Sequence, residues 1–170
     1  AREPSIRPRT SLDGIVADRL FQDAFGYKSD GLFVEVGASN GLDYSFTHNL
    51  AALGWRGVYI EPVTKLADEC KANHIKNPKI VTLCGAIEGY VGEGKLWMMP
   101  GWGTATLNRD AATSIGVPTE FNTPVWTLDH VLANLTPRPL DLLVIDVDFG
   151  EIAVLEGFAI EKWKPKLCII

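Results

Sequence analysis

Hydrophobic positions along this chain keep two periods in turn. From Leu12 to Phe25 they recur at helical spacing, at Leu12, Ile15, Val16, Leu20 and Phe21, which predicts a helix laid across a sheet or over a cleft. Gly31 to Val36 is then an apolar run broken only by Glu35, and it empties into the glycine turn Gly37-Ala38-Ser39-Asn40-Gly41. Similar runs follow at Trp55 to Ile60, ending in Glu61-Pro62, at Lys79 to Cys84 behind Pro78, at Leu140 to Asp148, and at Lys166 to Ile170. Helical spacing returns between them. Phe46, Leu50 and Leu53 share a face behind a cap at Asp43 or Ser45, and Gly54 closes that helix. Leu66 and Cys70 point inward from a helix over Val63 to His74. Thr127 caps Leu128 to Leu135, which Pro137 and Pro139 end, and Ile152, Leu155 and Phe158 begin a last helix after Glu151. Unbroken apolar runs alternating with helices predict a parallel sheet covered on both faces.

One stretch breaks the alternation. A glycine-rich turn leads into a short strand, Lys95 to Met99, and then a loop, Pro100 to Asn122, too long for a simple connection. Trp97, Met98, Met99 and Trp102 read as a substrate wall or lid. Trp97 and Met99 read equally well as strand residues facing a core, which leaves Trp102, between Gly101 and Gly103, as the lid candidate.

In open α/β sheets, ligands bind beyond the carboxyl ends of the strands, so the glycine turn is where chemistry is expected. Its spacing argues about the ligand. A dinucleotide fingerprint started at Gly37 would need glycines where Ser39 and Leu42 stand, which weakens a pyrophosphate reading. A turn keeping only Gly37 and Gly41, with Glu35 before it, suits a ligand without phosphates, and S-adenosylmethionine is the candidate. Glu35 would attract its ammonium, while the backbone of Ala38, Ser39 and Asn40 passes beneath the ribose. Glu61 stands about 20 residues past the turn, where an acid that accepts from ribose hydroxyls is expected. It reads otherwise as an acid flanking the next helix, with Pro62 in its first turn. Gly85-Ala86-Ile87-Glu88, at the end of the third strand, would form one wall of an adenine pocket.

Composition bounds the class. The chain has 170 residues, 46% of them hydrophobic, and a net charge of −5, which suits a single domain with a substantial core. Mild acidity without a Lys/Arg stripe argues against nucleic acid as a partner. Cys70, Cys84 and Cys168 lack metal-ligand spacing and read as apolar fillers in a reducing compartment. No run has the length for a membrane span, and the polar, proline-rich Ala1 to Thr10 does not read as a signal peptide, so a cytoplasmic location is expected.

Several of these segments together resemble the FkbM-type methyltransferases. They are Phe33 through Gly41, Tyr44-Ser45, Gly54-Trp55-Arg56-Gly57 with Ile60-Glu61-Pro62, Thr127-Leu128-Asp129, and Ile145-Asp146-Val147-Asp148 through Leu155-Glu156-Gly157-Phe158. The resemblance covers most of the chain from about Gly31. It implies an α/β, Rossmann-like class I S-adenosylmethionine-dependent methyltransferase sandwich with strand order 3-2-1-4-5. Residues 1–30 would be an arm and helix, and 31–170 the cofactor-binding domain. By position, Glu35, Gly37 and Gly41 match the cofactor turn, Glu61 the ribose acid, Ala86 and Ile87 the adenine wall, and Asp146 the acid after the fourth core strand. The implied reaction is methylation at oxygen of a small metabolite, sugar or polyketide-type acceptor.

Two departures from the family pattern matter. After the fourth core strand the family commonly reads Asp-Val-Glu-Gly-x-Glu, whereas here Asp148 replaces the longer acid and Phe149 stands where glycine is usual. A complete fold of this class also continues with two further strands, and the chain stops at Ile169-Ile170. A natural short form, a fragment, and a homodimer paired through that edge are all compatible with the sequence.

Asp146, Asp148 and Glu151 are the candidates to accept an acceptor's proton, with His48 a weaker one. Each has a plainer reading. Asp146 would bind the ammonium, Glu151 would complement a helix N-terminus, His48 would be a solvated surface residue, and His74 and His130 would be structural. The three acids could also share Mg²⁺ through oxygen ligands, but carboxylates cluster often enough without a metal that none is expected. A nicotinamide oxidoreductase and a non-catalytic cofactor-binding module are the alternative functions.

Overall fold

The computed structural model describes residues 12–26, 28–98, 105–135 and 139–170. Five parallel strands form the main sheet in the order β3-β2-β1-β8-β9. They are β1 (Leu32–Val36), β2 (Arg56–Glu61), β3 (Ile80–Cys84), β8 (Leu142–Ile145) and β9 (Leu167–Ile169). This is the Rossmann-like order 3-2-1-4-5 expected for the five core strands. Val36 aligns with Ile60 on one side and Ile145 on the other, so these strand ends lie level. Hydrogen bonds run past the strand ends. Gly37 N donates to Ile60 O, Asp146 N to Val36 O and Gly85 N to Glu61 O, at 2.9, 2.9 and 3.2 Å. The loops that follow four neighbouring strands are therefore held side by side.

Side-chain alternation divides the strands between two cores. Leu32, Val34, Val36, Val58, Ile60, Leu143 and Ile145 face a layer made by α5 (Leu128–Leu135) and α6 (Glu151–Glu156). Phe33, Tyr59, Leu142 and Val144 face the opposite layer, with Ala17, Phe21 and Phe25 of α1 (Leu12–Phe25) and Leu50 and Ala51 of α2 (His48–Ala52). Cys70 of α3 (Thr64–Asn73) is buried on this second side. Both layers are well populated, which fits strands that read as continuous apolar runs.

Helix α1 has the predicted span but a different buried face. Val16 and Leu20, expected inward, are 50% and 41% exposed, whereas Ala17, Phe21 and Phe25 pack inward and Phe25 meets Trp55 edge-on at 5.2 Å. The helix lies across the sheet. Small Ala17 permits close approach where the bulkier Val16 and Leu20 would hold the helix away.

The segment read as strand, long loop and cap is largely a second sheet, ordered β4-β7-β5-β6. Its strands are β4 (Ala86–Ile87), β5 (Gly92–Met98), β6 (Ala105–Thr106) and β7 (Thr119–Trp126), with α4 (Arg109–Ile115) between the last two. β5 and β7 pair antiparallel from Gly92 with Val125 to Met98 with Thr119. Trp97 is a half-buried strand residue here, while its neighbour Leu96 is buried. Met98, also half-buried, ends β5, and the other two lid candidates, Met99 and Trp102, lie outside the described residues, as do Ala1 to Thr10 and Pro137. Near the end of the chain, α7 (Ile160–Trp163) is tied down by Asp129, whose Oδ1 accepts from Trp163 Nε1 and from Ala159 N. The Thr127-Leu128-Asp129 segment therefore has a structural occupation, with Thr127 Oγ1 accepting from His130 N as the expected cap.

Candidate functional site

Beyond the carboxyl ends of β1, β2, β3 and β8 lies a cleft with two lobes. The larger, of about 300 Å³, is walled mainly by apolar groups, among them Val36, Pro62, Ala86, Ile87, Leu96 and Val147. The smaller, of about 90 Å³, is lined by Ser39, Leu66 and three carboxylates, Glu61, Asp146 and Asp148. Gly37, Pro62, Ala105, Val147 and Asp148 border both lobes. An apolar chamber therefore adjoins an acidic one at the strand ends.

Glu61 is aimed by backbone. Its Oε2 accepts from Ser39 N and its Oε1 from Val63 N, each at 2.9 Å. Each oxygen keeps acceptor capacity for a further donor. The side chain is only 6% exposed, and burial raises its pKa against the lowering effect of the Val63 and Ser39 amides.

Glu35, expected to attract an ammonium, has another occupation. It shares the α1/α2 side of the sheet with Phe33, is 1% exposed, and lines neither lobe. Phe46 N donates to Oε1 at 2.7 Å, while Ser45 Oγ, Thr47 Oγ1 and Thr47 N donate to Oε2 at 2.8, 2.6 and 3.3 Å. Tyr59 OH lies 3.1 Å from Thr47 Oγ1 and extends the network into β2. Burial raises the Glu35 pKa, with Thr47, Phe46 and Ser45 opposing. This carboxylate clamps the loop that follows the turn and is already supplied with donors.

The turn divides in the same way. Gly37 lines the cleft at φ +83°, and a Cβ there would lie 1.9 Å from Asp146 O, so no side chain fits between the β1 and β8 loops. Ser39 lines the small lobe. Ala38 is fully buried, and Asn40 staples the loop through Oδ1, which accepts from Leu42 N and Asp43 N. Gly41, also left-handed at φ +71°, is packed under Cys70 and His74. His74 is structural as expected: its Nε2 lies 2.7 Å from Gly41 O, its ring stacks on Tyr59, and burial lowers its pKa. Burial likewise pushes the Cys70 thiol up to about 11. Glu35, Ala38, Asn40 and Gly41 thus shape the turn from behind, while Gly37, Ser39, Glu61, Pro62, Ala86, Ile87 and Asp146 face the cleft.

Among the candidate proton acceptors, Asp148 borders both lobes, Asp146 lines the small one, and Glu151 lines neither. Desolvation raises the Asp146 pKa first, and the negative charges of Asp148 and Glu151 raise it further. No hydrogen bond reaches the Asp146 carboxylate among the described residues. His48 lies elsewhere, its Nδ1 3.0 Å from Ser45 O, in a separate groove of about 440 Å³ between α2 and α3. Among the described residues, no group of three His, Cys, Asp or Glu side chains is placed to hold a metal ion.

The far wall, Leu96 and Ala105 to Asn108, falls in the strand and loop read as a substrate wall or lid, but the second sheet and the cap of α4 supply it through residues the sequence did not single out. Phe149 is a further lining residue that sequence reading missed. Its signal in the sequence is the departure from glycine that the resemblance marks there.

These residues fit a cationic nucleoside. The apolar lobe suits a base, Glu61 suits ribose hydroxyls, and Asp146 sits among like charges that a bound cation would relieve. They do not suit a pyrophosphate. Three carboxylates would repel it, and α2 starts only at His48, so no helix N-terminus follows the glycine turn to meet phosphate oxygens.

A family model described as the methyltransferase FkbM domain matches residues 35–170. No curated protein matches the chain. Among solved structures, it is similar to an O-methyltransferase from Bacillus cereus in complex with SAH, with 15% identity and a TM-score of 0.38. That likeness covers 86% of this chain and 48% of the other, so this chain spans about half the length of that structure. No helix among the described residues is long and apolar enough to cross a membrane.

Proposed function

This chain belongs to the FkbM methyltransferase family, and from that premise we propose that it catalyses S-adenosylmethionine-dependent methylation at oxygen of a small acceptor, a sugar, polyketide-type or related metabolite. The observation that carries the reading is Glu61, held by two backbone amides and turned to a lobe it shares with Asp146 and Asp148. S-adenosylmethionine, when bound, supplies an electrophilic methyl group on a sulfonium. Glu61 accepts from the ribose hydroxyls, a charge-assisted pairing stronger than a neutral one. Pro62, Ala86 and Ile87 enclose the base and exclude water from it. Asp146 holds the ammonium, which relieves its repulsion with Asp148 and Glu151.

Positioning and desolvation supply much of the rate in an in-line displacement, so strong base catalysis is not required. Asp148, at the junction of the lobes, would take up on a carboxylate oxygen the proton that the acceptor hydroxyl loses. Glu151 adds charge from outside the cleft. β9 has a paired neighbour on one side only among the described residues, and a second copy of the chain is proposed to pair there.

Calorimetric titration with S-adenosylhomocysteine tests the reading, with NAD as the comparison. Micromolar binding of S-adenosylhomocysteine and weaker or absent binding of NAD is expected. No heat and no thermal shift with S-adenosylhomocysteine, or tighter binding of NAD, would contradict it.

A further inference from the structure

Phe149 combines three properties that rarely coincide. Its backbone is left-handed at φ +65°, a region open to glycine and costly for a residue carrying a Cβ. Its side chain is 63% exposed, so burial does not offset that cost. Its place in the chain is at the large lobe of the cleft, beside Val147 and Gly150. An exposed aromatic held in a strained backbone is the arrangement expected where strain serves a ligand rather than the fold.

The surroundings narrow the ligand. Pro62, Ala86, Ile87 and Val147 give that lobe mainly apolar walls, with Glu88 and Asp148 also at it, whereas Glu61 and Asp146 line the small lobe alone. A flat, uncharged ring suits the first and a cationic or hydroxyl-bearing group the second. We propose that Phe149 is an aromatic platform for the base of the bound nucleoside, held at the cleft by its left-handed backbone. The proposal rests on the methyltransferase reading, because it takes the large lobe as the base site.

Phe149→Gly separates ring from backbone, since glycine relieves the left-handed strain and removes the platform together. The test uses S-adenosylhomocysteine, which contains no acceptor, so any effect belongs to the cofactor side. Expected are a roughly tenfold loss of affinity by calorimetry, in line with base–aromatic stacking, and an unliganded melting temperature equal to or up to about 4 °C above wild type. Phe149→Trp, which restores a flat ring, should bind within about threefold of wild type. A glycine variant that binds like wild type while wild type itself binds overturns the platform alone. A lower melting temperature in that variant also overturns it, by showing the ring to be a packing element. Failure of wild type to bind S-adenosylhomocysteine overturns both the platform and the methyltransferase reading.

Discussion

Glu35 and Glu61 stand at the ends of adjacent strands, both almost fully buried, both with pKa values raised by desolvation, and alternation puts them on one face with Phe33 and Tyr59, yet only Glu61 borders the cleft. Four donors from one short loop meet Glu35, and two of them are hydroxyls. Glu61 meets two backbone amides and borders open space. A buried acid at a strand end is thus no ligand site by position alone; what decides is whether its lone pairs are already occupied. One of these carboxylates builds the turn, and the other uses it.

Alanine at each position breaks the comparison apart. Glu35→Ala leaves the Phe46 and Thr47 amides and two hydroxyls without their acceptor in the core, and each unsatisfied buried group costs about 1–3 kcal/mol. A loss of about 3 kcal/mol in urea unfolding is expected, the largest effect of all. Glu61→Ala frees only two amides, that of Ser39 at the cleft and that of Val63, half the number of donors that Glu35 serves. It should unfold less than half as far below wild type yet lose about 10- to 100-fold in S-adenosylhomocysteine affinity by calorimetry. Equal stability losses, or unchanged affinity in the Glu61 variant, would erase the distinction.

A smaller effect is expected from pH. Glu61 and Asp146 both have raised folded-state pKa values, so what they contribute to stability is full below their unfolded values and is lost as pH rises through the folded ones. Ligand affinity takes the reverse slope, because ribose hydroxyls and an ammonium favour the ionised carboxylates. Binding of S-adenosylhomocysteine should therefore weaken severalfold between pH 7.5 and pH 5 and release fewer protons at the higher pH. Calorimetry in buffers of different ionisation enthalpy reads both quantities.

The parallel sheet was readable because each strand is covered on both faces, which leaves unbroken apolar runs such as Leu142 to Ile145. The second sheet was hidden. Its strand β7 places Thr123 and Val125 inward between exposed Glu120, Asn122 and Pro124, a period-two pattern blurred by polar residues and by a proline that argues against strand. Val125 and Trp126 pair with β4, and Pro124 stands just before that pairing begins. Parity could not have separated the two acids, since it sets Glu35 with Phe33 and Glu61 with Tyr59 on one face; the donors that Ser45, Phe46 and Thr47 bring to Glu35 do. Nor could it have placed the far wall of the cleft, because Leu96 and Ala105 to Asn108 reach it through pairing between distant segments. Phe149 carried a signal only in being the wrong residue for a glycine position.

The central claim is that Glu61, not Glu35, grips the nucleoside, and a crystal structure with S-adenosylhomocysteine tests it most directly. The account predicts both ribose hydroxyls on the Glu61 carboxylate, the base among Ala86, Ile87 and Phe149, and Glu35 still bonded to Ser45, Phe46 and Thr47. A ligand seated on Glu35, or in the groove between α2 and α3 beside His48, would contradict it.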